Sequence, residues 1–300
     1  MDFDRYWRDV REEVAAADQD WDRQARDEVV EANGGRWRID WVRFSSVRDS
    51  LVWGWHAVPL SPSPNGACML WLPGYSYGTP PPDPTCLIPG ASTLCINVHG
   101  LRPDEPYINP AGKNDYILQD IDNPVTYIMR SVVQHCLRAL HVAAALPEVN
   151  AARIVVGGMS QGGALAIMSA ANSVVPKACF ADMPFLSDIE TAVRSSSSPV
   201  YKAIRHRMRV APAAADGILA TLSLFDPVRH APRVVVPTCL SAGGRDPSVK
   251  PAGVEMVFCA LGTEIKHYEF YPNAGHVFLP EMNRTHTEWV ARHVLEEKEI

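Results

Sequence analysis

Ile154-Val155-Val156-Gly157-Gly158-Met159-Ser160-Gln161-Gly162-Gly163-Ala164-Leu165-Ala166-Ile167-Met168 is the stretch from which the fold is read. Its first three residues are β-branched and apolar, as a buried strand requires, and its last five are apolar residues that suit a helix. Between them lies Gly158-x-Ser160-x-Gly162. A serine held on a sharp strand-to-helix turn leaves no room for side chains two residues to either side, so Gly158 and Gly162 answer a steric need and Gly163 adds space. The context predicts a nucleophile elbow with Ser160 at its tip.

Working outward, apolar runs at 67–72, 93–98, 153–156, 177–181, 234–241 and 266–271 alternate with helical stretches at 124–146, 161–172, 251–261 and 283–297. That rhythm predicts a mostly parallel sheet flanked by crossover helices. With the elbow it gives an α/β-hydrolase fold. Two alternating runs before it, Trp37-Ile39-Trp41 and Leu51-Trp53-Trp55, are expected to enter the sheet as an antiparallel pair. Residues 1–31 carry Phe3, Trp7, Val10 and Val14 at helical spacing and predict an amphipathic N-terminal helical extension on the outside of the domain. Residues 184–232, with Ser195 to Ser198 and a basic run at 202–209, read as a helical insertion walling the site. The whole chain, 1–300, is expected to form one domain.

Composition narrows the partners. A net charge of -6 and no run of Lys and Arg argue against nucleic acid. The first thirty residues are dense in charge and lack the apolar core of a secretory signal, and no stretch approaches a membrane span, so the chain as given reads as cytoplasmic. The seven cysteines stand singly, without metal-site spacing. Cys68, Cys95, Cys179 and Cys239 fall in strand-like runs, where a small buried hydrophobe fits. Neither disulfides nor a metal or organic cofactor is expected.

A serine hydroxyl is a weak nucleophile until a base takes its proton. Of ten histidines, His276 lies in a turn-rich segment just after the last predicted strand and is the expected base; His230, His267, His286 and His293 are better explained by packing or surface positions. The acid that orients it is expected at Asp246, after the run at 234–241, and the thirty-residue interval to His276 holds one helix and one strand. Asp182 is the rival, and an Asp before Pro is also an ordinary turn former. The oxyanion hole needs two backbone N–H groups: Gln161, after the nucleophile, supplies one, and Pro73-Gly74-Tyr75 offers the Tyr75 N–H, although that tripeptide is equally a common turn.

The elbow from Gly157 to Gly163, Ala181-Asp182-Met183-Pro184-Phe185-Leu186, Phe225-Asp226-Pro227 through Ala231-Pro232, and Tyr271-Pro272-Asn273 through Gly275-His276 together resemble the acetyl xylan esterase / cephalosporin C deacetylase family. So do Asp2-Phe3-Asp4-Arg5-Tyr6-Trp7 and the stretch from Asp122-Asn123-Pro124 through Tyr127 to Arg130. The resemblance spans nearly the whole chain. It implies hydrolysis of acetyl esters on small sugar-like molecules through an acyl-enzyme, a homo-oligomer that is often a hexamer, and a small acyl pocket closed by Pro184, Phe185 and the loop around Tyr75. Two departures bear on substrate and assembly. The family's Arg-Gly-Gln motif is replaced by Val98-His99-Gly100-Leu101-Arg102-Pro103, and Val277 follows His276 where glutamate is usual. The proline-rich loop Thr79-Pro80-Pro81-Pro82-Asp83-Pro84 is stiff and suits a preformed pocket for a specialised metabolite. The same triad would also serve a thioesterase or acyltransferase, and a silent binding protein could keep the fold.

Overall fold

The computed structural model describes residues 1–75, 86–100, 102 and 116–296; the proline loop at 79–84, Leu101 and Pro103 lie outside them. Among the described residues nine strands form one mixed sheet: β1 (Trp21–Ala32), β2 (Gly35–Ser45), β3 (Leu51–Ser61), β4 (Cys68–Leu72), β5 (Ser92–Ile96), β6 (Ile154–Met159), β7 (Ala178–Asp182), β8 (Thr238–Gly243) and β9 (Lys266–Tyr271). Their spatial order is β1-β2-β3-β5-β4-β6-β7-β8-β9. The β1-β2, β2-β3 and β3-β5 pairs are antiparallel, and every later pair is parallel. Trp41 sits opposite Trp55 in β2-β3, which is the antiparallel pair the sequence predicts.

The period of two along β4 explains how both faces are filled. Cys68, Leu70 and Leu72 point into the larger core, while Ala67 and Met69 point into a second core on the opposite face. The larger core is covered by α1 (Phe3–Ala16), α2 (Ile128–Ala145) and α3 (Gln161–Asn172), and the second by Val290 of α9 (Pro280–Val290) together with Val294 beyond it. Between β7 and β8 the chain forms α4 (Ile189–Ser195), α5 (Pro199–Val210), α6 (Ala215–Ser223) and α7 (Pro227–His230), and α8 (Pro251–Ala260) joins β8 to β9.

The N-terminal helix is shorter than residues 1–31. Asp2 caps it by accepting from the Arg5 N–H at 2.8 Å, and it ends at Ala16, after which Trp21–Ala32 pair with β2 as an edge strand. Most of β1 is solvent-exposed. Its charges therefore protect an edge against further strand pairing, and charge density alone does not separate that from a solvated helix face. The apolar stripe of α1 is real: Trp7 is fully buried and donates its indole N–H to the Leu224 carbonyl at 3.0 Å. Burying such a ring is worth about 2 to 3 kcal/mol. It packs edge-on against His230 and Phe225, and burial pulls His230 down to about 3, so that imidazole is neutral core.

Six of the seven cysteines are buried, Cys259 is exposed, and all are free thiols. No helix among the described residues is long and apolar enough to cross a membrane.

Candidate active site

Ser160 stands between β6 and α3 with φ 60° and ψ -120°, a conformation that a non-glycine residue adopts only when its surroundings impose it. Three backbone bonds impose it. The Ser160 N–H donates to the Asp182 carbonyl at 2.8 Å, and the Ser160 carbonyl accepts from Phe185 N–H at 2.9 Å and Ala164 N–H at 3.1 Å. The flanking glycines are as tightly placed as the sequence demands. A Cβ on Gly162 would lie 2.1 Å from the Leu72 carbonyl oxygen, and one on Gly158 would lie 2.6 Å from Gly162 backbone.

His276 follows β9 and reaches back over the elbow. Its Nε2 lies 2.9 Å from Ser160 Oγ, and its Nδ1 lies 2.6 Å from Asp246 Oδ2. Because an ionised carboxylate only accepts, Nδ1–H donates to Asp246 and Nε2 is left to accept from the serine hydroxyl. The second carboxylate oxygen, Oδ1, accepts the N–H groups of Ser248 at 2.7 Å and Val249 at 2.9 Å. Asp246 is buried, whereas His276 keeps about a quarter of its side chain open, with side-chain exposures of 0% and 24%. The carboxylate is thus fixed and dry, and the imidazole can still meet an incoming molecule.

Asp182 takes another partner. Its carboxylate accepts from Ser241 Oγ at 2.6 Å and lies 3.0 Å from Nε2 of His286, a buried residue of α9. His230 packs in the core near α1, and His267 sits beside Glu269 at 2.8 Å, so neither reaches Ser160.

Gln161 opens α3, where first-turn N–H groups have no partner within the helix. Its side chain accepts a hydrogen bond from the Tyr116 hydroxyl and reaches the Gly74 carbonyl at 3.5 Å. Tyr116 in turn stacks on Tyr75 with ring centroids 4.4 Å apart. The loop at 73–75 and the start of α3 are therefore drawn together beside Ser160. His99 packs edge-on against Tyr116. Burial pulls it down to about 4, so it is a neutral wall of this cluster.

A cavity of about 460 Å³ opens above Ser160. Tyr75 and Phe185 line it, while Pro184 packs one residue back, its Cα 3.2 Å from where a Gly163 Cβ would stand. Sequence reasoning missed Trp71, Phe278, Ser198 and Ser248, which also line it. The alternation along β4 could have found Trp71, because it must face away from Leu70 and Leu72. Ser198 and Val200 come from the helical segment between β7 and β8, where Asp226 ties Asp188 and Ile189 N–H groups to the start of α7. Burial raises the Asp226 carboxyl. Among the described residues no group of three or more His, Cys, Asp or Glu side chains is arranged to hold a metal ion.

A family model described as acetyl xylan esterase (AXE1) matches residues 1–293. The chain is 28% identical over 214 residues to an acetyl esterase, Axe7A, of Xylanibacter ruminicola, an alignment covering 68% of this chain and 47% of that protein. It thus spans about half the length of that curated relative. Among solved structures it resembles an acetyl xylan esterase from Paenibacillus sp. R4, with a TM-score of 0.85 at 24% identity over 98% of this chain and 95% of that one. It also resembles acetyl xylan esterase 1 from Thermoanaerobacterium sp. JW/SL YS485, with a TM-score of 0.79 at 18% identity over 96% and 92%. At these identities the structural likeness speaks for the α/β-hydrolase fold.

Proposed function

The chain belongs to the acetyl xylan esterase family, and on that premise we propose that it is a serine carboxylic-ester hydrolase, an O-deacetylase of a small sugar-like or specialised-metabolite ester. The observation that carries the reading is the unbroken line Ser160 Oγ, His276, Asp246, with contacts of 2.9 and 2.6 Å.

In this reading Ser160 Oγ attacks the ester carbonyl while Nε2 of His276 takes its proton. Asp246 holds the tautomer that leaves Nε2 free and stabilises the imidazolium. The N–H groups of Gln161 and Tyr75 face the oxygen on which negative charge develops, and they act in a partly dry cleft where such dipoles count for more than in water. The imidazolium then gives its proton to the leaving alkoxide, so the alcohol departs and an acetyl-Ser160 ester remains. Water, activated by the same imidazole, reverses these steps to release acetate. Tyr75 and Phe185 bound a pocket suited to a short acyl group. The protein is further proposed to assemble as a homo-oligomer, which light scattering on the eluting peak would read. Turnover of p-nitrophenyl acetate by wild type, and none above background by Ser160→Ala, is the result expected. An active Ser160→Ala would remove the basis of the proposal.

A further inference from the structure

Asp182 contacts the elbow at Ser160, the strand that leads to Asp246, and the helix that follows the loop carrying His276. Its carbonyl accepts the Ser160 N–H at 2.8 Å and so fixes the nucleophile's backbone. Its Oδ1 accepts from Ser241 Oγ at 2.6 Å on β8, the strand that runs into Asp246, and the adjoining Met183 N–H donates to the Ser241 carbonyl at 2.9 Å. Its Oδ2 lies 3.0 Å from His286 Nε2, close in distance but not aligned as a hydrogen bond. His286 belongs to α9, which follows the loop carrying His276.

The imidazole is held by ring packing. It stacks on Phe180 of β7 with centroids 4.2 Å apart and meets the edge of Phe278 at 5.9 Å. Phe278 lines the cavity two residues beyond His276. Both members of the pair are about 3% exposed at the side chain. Replacing a buried pair of this kind with apolar groups would often be neutral or stabilising for the fold, so stability alone is a weak reason for it.

We propose that Asp182 and His286 are a positioning pair, which locks β7, β8 and α9 in one arrangement and so sets Ser160, Asp246 and His276 in line. The inference rests on those three residues being the triad. Neither member of the pair touches the reacting atoms. Its contribution is geometric, and a displacement of about 1 Å at a reacting group can cost up to about a hundredfold in rate.

The test is a set of four variants assayed with p-nitrophenyl acetate beside wild type and Ser160→Ala, with melting temperatures measured in parallel. Asp182→Asn keeps the shape and an acceptor for Ser241. It is expected to lower kcat about ten- to a hundredfold with KM within about twofold, and to slow fluorophosphonate labelling of Ser160 by the same factor. His286→Leu should do the same. His286→Gln, which leaves a polar N–H near the carboxylate, should keep kcat within about fivefold of wild type. The double variant Asp182→Asn/His286→Leu should lose no more than the worse single variant, because the two act as a unit. Should Asp182→Asn fold poorly, the comparison of His286→Leu with His286→Gln decides alone. A kcat near wild type in His286→Leu, losses confined to KM, or losses that multiply in the double variant would overturn the pair. An Asp182→Asn as inactive as Ser160→Ala beside an active Asp246→Asn would overturn both the pair and the triad, since Asp182 would then be the catalytic acid.

Discussion

Asp246→Asn is the perturbation whose outcome the geometry determines most closely. Oδ1 of Asp246 accepts two backbone N–H groups, from Ser248 at 2.7 Å and Val249 at 2.9 Å, while Oδ2 faces His276 at 2.6 Å. An asparagine there must keep its one carbonyl oxygen on the two backbone donors. Turned the other way, its amide would face them donor to donor at a buried position, at a cost of about 1 to 3 kcal/mol. Its NH2 group therefore faces Nδ1 and donates to it, which places the imidazole proton on Nε2. That nitrogen then has no lone pair for the Ser160 hydroxyl. Loss of the wrong-tautomer kind costs about a thousand- to ten-thousandfold in kcat, equal to about 4 to 5 kcal/mol of transition-state stabilisation. Since the loop keeps its acceptor, the melting temperature should move by no more than a few degrees and KM should change little. Steady-state kinetics on p-nitrophenyl acetate with a thermal melt of the same sample reads all three quantities. A folded Asp246→Asn enzyme with kcat within about tenfold of wild type would refute the reasoning.

Acyl-chain length should matter: with Tyr75 and Phe185 proposed to bound the acyl side, kcat/KM is expected to fall about tenfold or more from p-nitrophenyl acetate to the butyrate, and a preference for octanoate would contradict this. Gly162→Ala should cost about 3 kcal/mol or more in urea unfolding, because its Cβ would stand 2.1 Å from the Leu72 carbonyl oxygen. Gly217→Ala in the exposed face of α6 should instead stabilise by about 0.5 to 1 kcal/mol, and equal effects of the two would refute the steric account. Stability should also fall on acidification. His56 and His99 are held down to about 4 and His230 to about 3, chiefly by burial, so between there and the ordinary value near 6.5 the unfolded chain binds roughly one more proton at each. The stability these neutral imidazoles contribute is complete above about pH 6.5 and is lost as pH falls, by roughly 4 kcal/mol per unit near pH 5. Urea midpoints at pH 7.5 and 5.5 test this, and a midpoint unchanged or higher at pH 5.5 would contradict it.

The parallel strands and their crossover helices were legible because each buried strand is a short apolar run and each helix is long enough to show its period. β9 at Lys266–Tyr271 and α3 at Gln161–Asn172 match the expected limits. β8 starts at Thr238, not at 234, since Pro237 lacks the N–H a strand uses and Val235 lies exposed at 71%. β1 was hidden for a different reason. An edge strand protected by charge carries little hydrophobic signal, and residues 1–31 read as one helical piece until β2 gives the second half something to pair with. Ser160, His276 and Asp246 stood out as candidates because each sits just after a strand in a turn of recognisable composition, and the structure brings them within hydrogen-bonding distance. The Asp182–His286 contact could not, because it joins a strand end to a distant helix through packing, and neither residue has a local pattern that announces it. Phe278 was overlooked for the same reason: a cavity wall is made from several segments, and only their assembly shows which side chains meet.

The proposed role of Ser160, activated nucleophile of a serine ester hydrolase, is open to direct measurement. The direct measurement is peptide mapping by mass spectrometry after reaction with a fluorophosphonate, with esterase activity followed in the same tube. One modified residue, Ser160, is expected, at a stoichiometry that rises in step with the loss of p-nitrophenyl acetate turnover, with no labelling or turnover in Ser160→Ala. Modification of another residue with complete loss of activity, or full activity with Ser160 modified, would contradict it.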